Sequence, residues 1–145
     1  MLQIQNTAMV DEKGYITPAW RGVFQAVFNQ LNGDQMSSNI SLFQPTQLTT
    51  SPTTIYTFPN VPTRIGKLTA CNTSGSAVTI NIYLVPQGQS AGAGTIIISA
   101  LSIPAGESVD LTTVEDHVIS ANWSIQASAS TGGAITIFGS GNKIS

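Results

Sequence analysis

The chain has 145 residues, the size of one ordinary domain and too short for two full cores. Five Lys and Arg stand against seven Asp and Glu, a net charge of −2, so no basic stripe is available to neutralise nucleic-acid phosphates. Charged residues are only 8% of the total while the apolar fraction is an ordinary 41%, which leaves Ser, Thr, Asn and Gln to cover the surface.

The opening residues M-L-Q-I-Q-N-T-A-M-V lack the basic start and apolar block of a secretory leader, and Cys71 is the only cysteine. Synthesis in a reducing cytoplasm is expected. The N-x-S triplets at Asn39, Asn72 and Asn122 then read as chance matches to a glycan acceptor site.

A helix is predicted over about residues 17–32. Thr17 can cap it, Pro18 suits its first turn, and Asn32-Gly33 offers a left-handed exit. Trp20, Val23, Phe24, Val27, Phe28 and Leu31 recur at the spacing of one helical face. A single helix of this length is marginal in water, so its aromatic stripe must lie either on the chain's own sandwich or on a neighbouring subunit or another protein, and the flexible connector that follows favours the second. Those six residues are the predicted partner-binding set. Gly22, inside the helix, costs about 1 kcal/mol relative to alanine.

Residues 34–52 show little periodicity and contain Pro45 and Pro52, which reads as a connector tacked down by Ile40, Leu42, Phe43 and Leu48. The chain is therefore expected to divide near residue 50, into an arm of residues 1–50 and a body of residues 51–145.

The body alternates as strands do. Val78, Ile80, Ile82 and Leu84 point one way and Thr79, Asn81 and Tyr83 the other; Trp123, Ile125, Ala127 and Ala129 repeat the pattern. Further strands are expected at about 53–58, 64–72, 95–103, 107–111 and 134–139, with turns at T-S-G-S, I-P-A-G-E and S-T-G-G. The fold class is mainly β, an antiparallel β-sandwich or jelly roll preceded by an arm with one amphipathic helix. Residues 95–99 and 135–138 are apolar on both faces, which suggests surfaces covered in a symmetric homo-oligomer. The longest apolar runs fall far short of the roughly 20 residues of a membrane-spanning helix.

Chemistry-bearing residues are sparse. His117 follows Glu115 and Asp116, but three successive residues cannot all face one site, so a solvated turn is expected. Cys71 falls in a strand with no neighbouring base and reads as a buried, inert thiol. The stretch G-Q-S-A-G-A-G, residues 88–94, lacks the G-K-[ST] ending of a phosphate loop and reads as a hairpin loop. Asp11, Glu12, Asp34, Glu107 and Asp110 form no acid–base pair. Trp123 and Tyr83 are minor candidates for stacking on sugars, with Trp123 more naturally a core residue. No enzyme activity, cofactor or metal site is expected.

Residues 10–31, V-D-E-K-G-Y-I-T-P-A-W-R-G-V-F-Q-A-V-F-N-Q-L, resemble the amino-terminal segment of many tailed-bacteriophage virion proteins. The body, T-T-I-Y-T-F-P-N-V-P-T-R-I-G-K-L-T-A-C-N-T-S-G-S-A-V-T-I-N-I-Y-L-V-P-Q-G followed by L-S-I-P-A-G-E-S-V-D-L, is similar to small β-domains among phage tail and head accessory proteins. The resemblance implies a virion structural protein made in the bacterial host cytoplasm. Its arm would attach to capsid, neck or tail proteins, and its body would cement or project as a decoration, fibre or appendage, with a trimer favoured. A receptor- or glycan-binding module for the bacterial surface is the alternative.

Overall fold

The structure, a computed structural model, describes residues 12–15, 17–33 and 39–144. Two compact units are present, Met1–Met36 and Ser37–Ser145.

In the first unit α1 spans Pro18–Gly33, within a residue of the predicted bounds at each end. The Thr17 carbonyl accepts hydrogen bonds from the backbone N–H groups of Trp20 and Arg21, both at 3.0 Å, which starts the helix. A turn precedes it, in which Gly14 takes the left-handed region at φ 80°. Asp11 and Asp34 lie outside the described residues.

The second unit is built of antiparallel strands. β1 (Asn39–Gln47), β3 (Thr63–Asn72), β6 (Ser108–Asp110), β7 (Val118–Ile119) and β9 (Ile135–Lys143) form one sheet. Its order is β1-β9-β3-β6, with β7 also paired to β3. β2 (Thr53–Thr57), β4 (Val78–Val85), β5 (Ile96–Ile103) and β8 (Ser124–Ala129) form the other, in the order β2-β8-β4-β5. The protein is thus mainly β, with two antiparallel sheets and one helix among the described residues.

Both sheets contribute to a single apolar cluster. Ile65, Leu68, Ile135 and Ile137 enter it from the first, and Ile80, Ile82, Ile125 and Ala127 from the second, all fully buried. Phe43 of β1, Tyr56 of β2 and Phe58 form an aromatic chain across it. The Phe43 and Tyr56 rings lie 6.2 Å apart and tilted, while Tyr56 and Phe58 meet edge-on at 5.1 Å. Burial raises the Tyr56 hydroxyl above its ordinary pKa.

The expected boundary near residue 50 lies instead between Met36 and Ser37. The stretch read as connector is, from residue 39 to 47, the strand β1, and its Leu42 and Phe43, with Leu48 just beyond, belong to the core. Pro45 misled the reading. It is tolerated because β1 is an edge strand whose register against β9 slips between Phe43 and Thr46.

Alternation in β4 is also less regular than predicted. Tyr83, expected to face outward, is buried, and Leu84 is half-buried. Periodicity assigns a face, whereas burial also depends on neighbours, and β4 is flanked on both sides, by β8 and β5. β5 carries two register shifts against β4, with Ala100 in the left-handed region at φ 50°. The Ala100 N–H is taken up by the Asn81 side-chain oxygen at 2.8 Å.

Candidate functional site

The predicted partner-binding residues all fall on α1, in a stripe about 140° wide at 100° per residue. Trp20 and Val23 are half-buried, whereas Phe24 and Val27 are 44% and 43% exposed. The Trp20 and Phe24 rings, one turn apart, pack at 6.1 Å between centroids, tilted by 41°. Phe28 and Leu31 lie within the helix, but their side chains are outside what the structure describes. Arg21 is the sole charged residue of the sixteen, and neither the first nor the last turn carries a side chain that would complement the helix dipole. The helix therefore offers aromatic and aliphatic area rather than charge. Such a face loses free energy in water and regains it on an apolar surface.

The Glu115-Asp116-His117 run occupies the turn between a short 3-10 segment, Thr112–Val114, and β7. The three side chains do not converge. Asp116, at φ 64°, pairs with Arg64 at 2.9 Å on the surface. His117 is exposed, and its carbonyl accepts the Ile65 N–H at 2.9 Å. Glu115 is half-buried with Oε1 out of solvent and without a hydrogen-bond partner. Among the described residues no three His, Cys, Asp or Glu side chains are grouped to hold a metal ion.

A second ion pair joins Lys67 and Asp110 at 2.8 Å, and the Thr69 hydroxyl donates to the same carboxylate at 2.9 Å. The hydrogen bond from Lys67, then that from Thr69, holds the Asp110 carboxyl below its ordinary range. The bond to Asp110 raises the Lys67 ammonium. Both groups lie on the solvent side of the first sheet, where their charges cancel.

Cys71 is a free, half-buried thiol in β3, opposite Ser108 and Thr136, rather than the buried core group expected. Its neighbours explain this: Ala70 and Asn72 point into the core, so Cys71 between them points out. The 88–94 stretch joins β4 to β5 as a hairpin loop, closed by the Thr95 hydroxyl accepting from the Gly92 N–H at 3.0 Å. Tyr83 is buried, and Trp123 packs half-buried against the core.

Phe138 lies in the 135–138 run read as apolar on both faces but was not among the predicted site residues. It is 40% exposed on β9, an inner strand of the first sheet, while Ile135 and Ile137 are fully buried beside it. The signal was present in the alternation of Ile135 and Ile137 against Thr136 and Phe138. No family model matches the chain, and no curated protein or solved structure is significantly similar to it.

Proposed function

We propose that this chain is a non-enzymatic structural component of a tailed-phage virion, assembling as a homo-oligomer, a trimer by preference. It attaches to capsid, neck or tail proteins through α1 and cements or projects with its β body. The observation that carries this reading is the exposed Phe24 and Val27 on an aromatic helix face, in a compact unit of its own ahead of the β unit. An anchor needs an apolar surface that can be covered by another molecule, on a segment separable from the body it carries.

The body is read as a β-sandwich of jelly-roll type. Taking the short β6 and β7 as one broken strand beside β3 leaves eight, which fall into the sheet orders first-eighth-third-sixth and second-seventh-fourth-fifth. That interleaving is what two Greek keys wound around one core produce. Jelly rolls recur in viral capsid domains, which is compatible with a construction role without requiring it.

Deleting residues 1–33 tests the anchor. The remaining β unit is expected to stay soluble with a strand-rich circular dichroism spectrum, yet to be missing from particles purified from a complemented infection. Incorporation at the level of the full chain would overturn the proposal.

A further inference from the structure

We propose that the solvent face of the first sheet around Phe138 is a platform for a neutral saccharide. β9 lies between β1 and β3, so Phe138 stands at the centre of that face rather than at its rim. Its same-face neighbours along β9 are the short side chains Thr136 and Ser140, and its partner across β3 is Thr69. The ring is the largest apolar group among these and is left 40% exposed. On the β1 side, exposed Gln44 falls in the register slip opposite Phe138.

Chemistry selects the ligand. The side chains of Thr136, Ser140 and Gln44 make no hydrogen bond among the described residues, so their donors and acceptors are unspent. The charged side chains closest to Phe138 in the register are paired with each other, Lys67 with Asp110 and Arg64 with Asp116, so the polar groups that border the ring are neutral. An exposed apolar ring bordered by neutral hydroxyls and an amide matches the alternating C–H faces and hydroxyl edges of a pyranose. A second protein chain fits less well, because one ring is far short of the apolar core that a stable interface buries. This inference does not depend on the attachment role of α1.

Affinity electrophoresis of the full chain through gels containing dextran, laminarin, mannan or galactan provides the test. At least one of the four is expected to retard the protein, and dextran sulfate, an anionic control, is not. Phe138→Ala should weaken the retardation at least tenfold without moving the denaturation midpoint, Phe138→Trp should keep it, and Gln44→Ala should weaken it several-fold. Phe24→Ala should leave it unchanged, which separates this site from the helix. Absence of retardation in all four gels, retardation only by dextran sulfate, or retardation that survives both Phe138→Ala and Gln44→Ala would overturn the platform.

Discussion

The side-chain amide of Asn72, at the end of β3, donates a 2.9 Å hydrogen bond to the main-chain carbonyl of Ile103 at the end of β5, so one buried residue ties strands of different sheets. It also donates to the Ser76 carbonyl at 2.8 Å, and its oxygen accepts from the Ser74 N–H and hydroxyl at 3.0 and 2.8 Å. With no exposed surface, Asn72 is satisfied at both ends of its amide. Asn72→Ala would strand the buried Ile103 carbonyl, while the Ser76 carbonyl keeps the Ser74 hydroxyl at 3.0 Å, and a loss of about 1–3 kcal/mol is expected. Asn72→Asp should cost more, since it sets a carboxylate oxygen against those carbonyls. Urea denaturation followed by tryptophan fluorescence reads both, and a loss below about 1 kcal/mol in Asn72→Ala would refute the tie.

Close approach of backbones sets a second expectation. A methyl group at Gly141 of β9 would run into the Arg64 carbonyl of β3, which cannot move without breaking the sheet. One at Gly139 would meet the Leu68 side chain and, at 2.8 Å, the Phe43 ring, both of which can shift partly. Gly141→Ala should therefore destabilise by about 3 kcal/mol or more, and Gly139→Ala by less, about 1–3 kcal/mol. Equal losses measured in parallel urea titrations would contradict this ordering.

The sequence was most readable where one local rule acted alone. The cap, proline and glycine signals around α1 put its ends within a residue, and the alternation of Ile80, Ile82, Ile125 and Ala127 identified core positions correctly. It was least readable where a tertiary context overrode the local rule. Pro45 sits in a strand only because that strand is a slipped edge, and the pairing of β1 with β9 at the far end of the chain has no local signature. β7 is two residues long and leaves no periodicity to detect. Of the candidate site, the helix stripe could be read from spacing, and Phe138 was marked by its alternation with Ile135 and Ile137, although alternation alone does not say which face of β9 meets the core.

The Lys67–Asp110 pair predicts a shallow pH response with a definite sign. Asp110 is lowered in the folded state from 3.8, so its contribution is present above that value and is lost as pH falls from 3.8 through the folded pKa. Lys67 is raised from 10.5, so its contribution is present below that value and is lost as pH rises from 10.5 through the folded pKa. Both groups face solvent, and the effect should shrink in 1 M salt. Comparing urea midpoints of the parent and Asp110→Asn between pH 2 and 5, the difference should be largest at the upper end and close as pH falls. A gap that widens towards pH 2 would mean the pair is not stabilising.

The helix allows opposite changes to be set against each other. Phe24 and Val27 are exposed, so replacing both with Ser should leave the β unit's stability within about 0.5 kcal/mol of the parent. The same change removes the apolar area proposed to bind the particle, and incorporation should fall at least tenfold. Gly22 works the other way. It is exposed in the helix interior, and a methyl group there meets no atom within 4 Å. Gly22→Ala should thus favour the helix by about 0.5–1 kcal/mol. If docking requires α1 to be formed, this variant should incorporate at least as well as the parent at limiting expression while the Ser variant does not. Quantitative blotting of purified particles against total expressed protein measures both, and normal incorporation of the double Ser variant would show that the stripe is not the contact.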